Sequence, residues 1–259
     1  MKGINTLLGA LTVAGALAPA SAGLAETIEL TGVIRDFKVS HPDMEYETKN
    51  FGVRQGLVKS TLGEDGKPVL NTSVDYKKGM ISGPTSFNQW FRDVPGVNIT
   101  VPFTITLDNS DPNRPHTYTY AVEKPKYFFP IDGKGWADTA KDANGNYRNF
   151  YFTYEIHTTF TFTPRNERSN DLVFKFVGDD DVWVYINGKL AVDIGGVHGQ
   201  ASSQVNLDQV AAQLGLEPGN DYTLDFFFAE RHTTQSNFRI ETTLQLVTVP
   251  PTTVSPLYD

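Results

Sequence analysis

Apolar and polar residues alternate through most of this chain. From Phe150 to Phe162 the even positions read Phe150, Phe152, Tyr154, Ile156, Thr158, Phe160 and Phe162, while Asn149, Thr153, Glu155, His157, Thr159 and Thr161 make the odd positions mainly polar. A period of two over this length predicts a half-buried strand, or two strands joined by a bend. Near the C-terminal end, Tyr222, Leu224, Phe226 and Phe228 share one face, and Phe238, Ile240, Leu244 and Leu246 share another. Asn98 to Leu107 and Leu172 to Val177 also read as strands. Val182 to Ile186 and Lys189 to Asp193 flank Asn187-Gly188. That dipeptide tolerates positive φ at both central positions and so predicts a hairpin with a type I′ turn. Helical spacing is confined to Leu207, Val210, Ala211 and Leu214, and Gly215 closes that run.

Long irregular stretches separate these elements. Residues 36–97 are rich in Gly, Asp, Lys and Asn but carry Tyr46, Phe51, Tyr76, Phe87, Trp90 and Phe91. So many aromatics argue against disorder and for a segment packed on the strands. Residues 125–148 read as a loop, and Val249-Pro250-Pro251 as an exit from the domain. No internal repeat is visible. The reading is all-β: one antiparallel β-sandwich with long irregular insertions, spanning residues 26–248, with a tail at 249–259.

The first 25 residues read differently. Lys2 precedes an apolar run from Leu7 to Ala18, and Ala20-Ser21-Ala22 and Gly23-Leu24-Ala25 are small-residue cleavage sites. This is the pattern of a secretory signal peptide, residues 1–25. The run is too short to span a bilayer, and no other segment is long and apolar enough, so no integral membrane segment is expected. The net charge of −8 without a basic cluster argues against nucleic-acid partners and against anionic lipid surfaces. The chain has no cysteine. A secreted chain without disulfides must rely on its core, and a metal would add to it.

Three segments carry chemistry. Asp179, Asp180 and Asp181 are consecutive between two strand-like runs. Their mutual repulsion is relieved by a hard cation, and calcium prefers carboxylate and carbonyl oxygens on loops. An acidic hairpin tip that only serves solubility is the alternative. The loop from Glu230 to Asn237 offers oxygen ligands at Glu230 and Asn237 and donors at Arg231, Gln235 and Ser236. Without context it reads first as a polar connection between two strands. The third is Asp193 to Gly199, whose glycines admit a close backbone neighbour or only form a bend at the sheet edge. His198 and His232 lie in two of these segments and can meet in the fold. Trp183, Tyr185 and Trp136 are candidate stacking faces for a sugar ring, although each reads first as a core or sheet aromatic.

These blocks together resemble a bacterial fibro-slime domain over about residues 28 to 247. Thr31 to Phe37, Ser40 to Asp43, Gly56 to Lys59, Phe87, Trp90 and Phe91 match its opening, and Phe176 to Lys189 is the most specific block. Gly195 to Gly199 and Phe227 to His232 complete it. That domain is similar in turn to the protective-antigen-type (PA-fourteen) sandwich family, which is jelly-roll-like. The resemblance implies that a pair of consecutive aspartates, often joined by a cis peptide, holds Ca2+, which then chelates sugar hydroxyls. It places the pair on Asp179 and Asp180 and the completing Asn on Asn237. Asp181 stands where the family often has Gly, which leaves its role open as ligand, cap or second member of the pair.

The chain lacks His-Glu-x-x-His, Gly-x-Ser-x-Gly, a phosphate loop and an EF-hand loop. His41, His116 and His157, with His198 and His232, show no zinc spacing. The expectation is a secreted, calcium-dependent carbohydrate-binding or adhesion module and not an enzyme. Its metal candidates are Asp179, Asp180, Asp181 and Asn237. Its ligand-binding candidates are Glu230, Arg231, His232, Gln235, His198 and Trp183, and its partners are extracellular glycans met through multivalent display. A matrix or slime component with purely structural calcium is the alternative. A glycosidase using Asp180 and Glu230 is a more distant one.

Overall fold

The computed structural model describes residues 25–47 and 50–249, so the expected leader and tail lie almost wholly outside the described residues. In chain order the strands are β1 (Thr27–Phe37), β2 (Asn98–Asp108), β3 (Tyr118–Val122), β4 (Ala140–Lys141), β5 (Tyr147–Arg148), β6 (Phe152–Thr161), β7 (Val173–Gly178), β8 (Asp181–Ile186), β9 (Lys189–Ile194), β10 (Ala201–Asn206), β11 (Asp221–Glu230), β12 (Phe238–Thr242) and β13 (Val247–Thr248). A short helix α1 (Pro84–Phe87) precedes β2, and α2 (Leu207–Leu214) follows β10. All but β4 and β5 belong to one sheet, ordered β10-β7-β12-β3-β2-β1-β6-β11-β8-β9, with β13 beside β6. Every described pairing is antiparallel.

This path curls until its two halves face each other. Phe176 of β7 and Phe238 of β12 touch Phe226 and Phe228 of β11, with ring centroids 5.2–6.0 Å apart. The path's ends, β9 and β10, also lie side by side. The result is an all-β, barrel-like sandwich. Its inner core takes Leu224, Phe226 and Phe228 together with Phe238, Ile240, Leu244 and Leu246, the faces that alternation predicts. Each fully buried side chain of this kind contributes about 1.5–3 kcal/mol. The Asn187-Gly188 turn has positive φ at both residues (52° and 69°). Helix α2 is capped by the Asn206 side chain and ends on Gly215 in the left-handed region.

One expectation changes. Strand β6 is not half-buried, because Thr153 and Glu155 on its outer face are buried too. Residues 38–47 and 50–97 lie across the outer face of β6, β11 and β8 and build a second core there. In that core Leu57, Ile81, Phe87, Trp90 and Phe91 meet Trp183, Tyr185 and Phe227. Strand β8 therefore divides its residues between two cores: Val182, Val184 and Ile186 point inward, and Trp183 and Tyr185 point outward. Side-chain bonds tie the cover down: the Tyr185 hydroxyl donates to the Lys59 carbonyl (2.9 Å), and the Thr153 hydroxyl donates to the Trp90 carbonyl.

Candidate functional site

At one end of the sandwich the β7–β8, β9–β10 and β11–β12 connections converge. The register brings them together: Gly178 pairs with Phe238 on one side and Ala201 on the other, and Asp181 pairs with Ala229. Asp179, Asp180, His198, Glu230 and Asn237 thereby become neighbours, although Asp179 and Asn237 stand far apart in the chain. The Asp179–Asp180 peptide is cis.

Each aspartate does a different job. Asp179 is 3% exposed and accepts two bonds from Asn237, one from its backbone N–H and one from its side-chain amide (3.1 Å). The Asn237 amide oxygen in turn accepts the Lys124 N–H at 3.1 Å. Asn237 is thus engaged in fixing Asp179. Asp180 accepts the His198 N–H at 3.0 Å and the Arg231 N–H at 3.2 Å. Burial pushes its carboxyl well above the usual range; the Arg231 charge opposes that, and Asp181 and Asp179 add to it. Burial likewise raises Asp179.

Asp181 is turned to a structural task. One oxygen accepts the Gly196 N–H and the other accepts Arg231 Nε at 2.7 Å, with both side chains wholly buried. This assigns its open role to an ion pair and removes it from the metal candidates. Arg231 is corrected too. Its guanidinium donates to the carbonyls of Asp43, Gly79 and Met80 and lies 4.6 Å from the Trp90 ring centre. Three of its donors are taken by the cover segment and Nε by Asp181, so Arg231 clamps the Asp43 and Gly79–Met80 backbone to the sandwich and presents nothing to a ligand. Trp183 is also unavailable: it is fully buried, and its indole N–H donates to Asp193 at 3.0 Å.

Glu230 is the unpaired member. It is fully buried, and among the described residues neither carboxylate oxygen has a hydrogen-bond partner. The nearby Ser236 hydroxyl spends its proton on the Phe128 carbonyl. Burial, and then the charges of Asp180 and Asp179, push Glu230 well up, while the Ser236 hydroxyl and the His232 N–H nearby oppose that in part. Buried carboxylates without donors are costly. Opposite them, His198 donates Nδ1–H to the Gly199 carbonyl (2.7 Å), which leaves Nε2 buried without a partner.

A cleft of about 240 Å³ opens over this floor, lined by Phe51, Asp179, Asp180, His198, His232 and Gln235. His232 stands on the opposite lip, where its Nε2 lies 3.3 Å from Glu45. Gln235 is exposed at the mouth. Sequence reasoning missed Phe51, Glu45 and the cover segment's part in this wall. The signal was present in the Gly195-Gly196 pair. A Cβ on Gly195 would meet the Arg54 carbonyl at 2.7 Å, and one on Gly196 would meet the Gly52 carbonyl at 3.0 Å. The glycines admit the 52–54 backbone, which bonds to Val197 and Gly195. A larger cleft of about 560 Å³ lies at the other end, lined by Thr159, Thr161, Arg168 and Gln245 among others. There Arg168 is already held by Asp208 and by backbone carbonyls, so the charge in that cleft is matched.

The acid floor fits a cation by charge. Asp179, Asp180 and Glu230 are buried together, and the Arg231 guanidinium facing them is committed to Asp181. Among the described residues, no three His, Asp or Glu side chains form a group able to hold a metal on their own. A calcium shell of six to eight oxygens would therefore need backbone carbonyls, water or ligand hydroxyls as well.

Comparison with known proteins bears on this end of the molecule. Residues 137–256 match the model of the PA14 domain. Over more of the chain, three Dictyostelium discoideum proteins are similar. Protein psiR is 43% identical over 227 residues (84% of this chain, 21% of psiR), and protein psiQ is 41% identical over 219 residues (82% and 20%). Protein psiD is 38% identical over 231 residues (86% and 43%). The chain thus spans between a fifth and under half of these relatives. Among solved structures, the PA14 domain of the MpAFP antifreeze protein is 10% identical, covering 56% of this chain and 72% of its own, at a TM-score of 0.27. The PA14 sugar-binding domain from an RTX adhesin is 7% identical, covering 84% and 95%, at 0.26. Scores this low carry no structural argument. The relatives are Dictyostelium psi proteins, so the bacterial fibro-slime part of the resemblance gains no support. It is to the PA14 domain family, over residues 137–256, that these findings tie the chain.

Proposed function

We propose that this chain is a secreted, calcium-dependent glycan-binding module that serves adhesion. The observation that carries the reading is the acid floor: Glu230 has two buried oxygens without a donor beside Asp179 and Asp180, under an open cleft. The PA14 domain is known from carbohydrate-binding and adhesion modules and is also found in glycosidases. Asp179 and Asp180 would hold the ion, with Glu230 supplying negative charge beneath them. When bound, calcium offers coordination positions to vicinal hydroxyls. The residues of the chain do the rest. Asn237 fixes Asp179, the backbone N–H groups of His198 and Arg231 fix Asp180, and the Asp181–Arg231 pair holds the floor beneath the loops. Among the described residues no helix is long and apolar enough to cross a membrane. A single sugar would bind at about millimolar Kd, because few contacts form against competing water, and adhesion would come from multivalent display.

A second reading has its own support. Asp179 and Asp180 are each only 3% exposed, and all four of their oxygens already accept a bond. That favours a purely structural ion in an extracellular matrix component. A glycan array probed with calcium, with chelator and with Asp180→Asn separates the two. The glycan-binding reading requires signal that disappears in chelator and in the variant. Signal undiminished in chelator, or calcium stabilisation with no glycan signal, defeats it.

A further inference from the structure

The cleft has an aromatic wall that no strand of the sandwich supplies. Phe51 comes from the cover segment and is 51% exposed. Its ring is held edge-on to His232, with centroids 5.1 Å apart. The backbone that follows it is held twice: Gly52 N–H donates to the Val197 carbonyl (2.8 Å) and Arg54 N–H to the Gly195 carbonyl (2.6 Å). His232 is itself anchored through Glu45, whose carboxylate also accepts the Thr233 N–H at 2.8 Å. An exposed phenyl group costs little where it stands, yet this one is positioned by two backbone bonds and a ring contact at the edge of a polar cleft. Opposite it stands the unpartnered Nε2 of His198, whose Nδ1–H is given to the Gly199 carbonyl.

We infer that Phe51 is the stacking platform of the site and that it takes the face of a pyranose ring. Such a ring offers a face of C–H groups to Phe51 and an edge of hydroxyls to the acid floor and to His198 Nε2. The walls of the cleft define the class: they are divided, aromatic on one side and carboxylate oxygens and an imidazole on the other, which matches the two-sided character of a sugar ring. Trp183 and Tyr185, the aromatics that the strands provide nearby, are wholly buried and cannot take this part. This inference rests on the glycan-binding reading above.

The test uses the full chain in saturating calcium, with methyl α-mannopyranoside, methyl β-galactopyranoside, methyl α-fucopyranoside and methyl β-N-acetylglucosaminide as probes. Binding is read by ligand-observed NMR, and calcium affinity and melting temperature are measured alongside. Phe51→Ala should weaken the best pyranoside about tenfold, while Phe51→Trp keeps or improves it. Both variants should leave calcium affinity and melting temperature unchanged, since Phe51 is half in solvent. Undiminished pyranoside binding by Phe51→Ala, with Asp180→Asn inactive, overturns the platform and leaves the glycan reading standing. A wild-type chain that binds none of the four sugars nor any arrayed glycan overturns both.

Discussion

Two buried charge clusters sit on this sandwich, and they are built on opposite plans. On the outer face of β6 and β11, Glu155 is met by Lys67 (2.8 Å) and Arg35 (3.3 Å), and His157 is bonded to Asp225 (2.7 Å). Burial pushes Glu155 up, but the hydrogen bond from His157 and the charges of Arg35 and Lys67 outweigh it and hold the carboxyl at about 2. Burial pulls His157 down, but its bonds to Asp225 and Glu155 hold it at about 9. Every charge there has a counter-charge. At the strand ends the balance fails: Asp179, Asp180 and Glu230 are raised and Arg231 serves Asp181. The matched cluster fastens the cover segment to the sheet. The unmatched one lies under an open cleft, as expected of groups kept for a ligand and not for the fold.

The largest expected effect lies on the one ion pair of the unmatched cluster. Arg231→Met leaves Asp181 buried without its cation and three carbonyls of the cover segment without donors. Urea unfolding in calcium-free buffer should show a loss of about 3–5 kcal/mol. Asp181→Asn combined with Arg231→Met should recover part of it, because the uncompensated charge is gone. A single-variant loss under about 1 kcal/mol would mean that Arg231 is not the clamp described.

Calcium sharpens the comparison next. At a hundredfold excess over Kd, an ion bound only to the folded chain adds about 2.7 kcal/mol. Scanning calorimetry should show a higher melting temperature with calcium than with chelator. Asp180→Asn should abolish that increment, and Glu155→Gln, in the matched cluster, should leave it intact. Equal melting curves across the titration would remove the ion from the unmatched cluster.

The smallest effect belongs to the matched cluster. The folded His157 binds its proton more tightly than an unfolded histidine does, so its stabilisation is complete below about pH 6.5 and is lost as pH rises through about 9. With roughly a third of its side chain exposed, the loss should be about 1–2 kcal/mol after allowing for solvent screening. Unfolding free energies measured from pH 6 to 10 should show this slope in the wild type and not in His157→Gln. The Glu155 contribution has the opposite sense: it is present above about pH 4.5 and lost as pH falls through about 2. A flat profile over pH 6.5–9 would show that the network does not hold His157 charged.

Much of the architecture was legible in local pattern, because a strand's period, a turn's φ and a helix cap depend on neighbours in the chain. Alternation placed Phe226, Phe228, Phe238 and Ile240 in one core, Asn187-Gly188 marked the hairpin, and Gly215 ended α2. The run Asp179-Asp180-Asp181 marked one of the three strand connections that converge. Local pattern says nothing of what covers a strand's second face, so Thr153 and Glu155 read as solvated, and Trp183 read as a candidate platform. Which carboxylate is satisfied depends on residues brought in from far along the chain: Arg231 for Asp181, Asn237 for Asp179, and, among the described residues, no hydrogen-bond partner for the Glu230 oxygens. Residue types and spacing determined that acids, histidines and an Asn stand on three strand connections. Only the tertiary structure decided that Asp181 and Arg231 neutralise each other, that Glu230 does not find a partner, and that Phe51 faces the cleft. Burial and pairing arise from contacts across the fold, and these have no periodic trace in the chain.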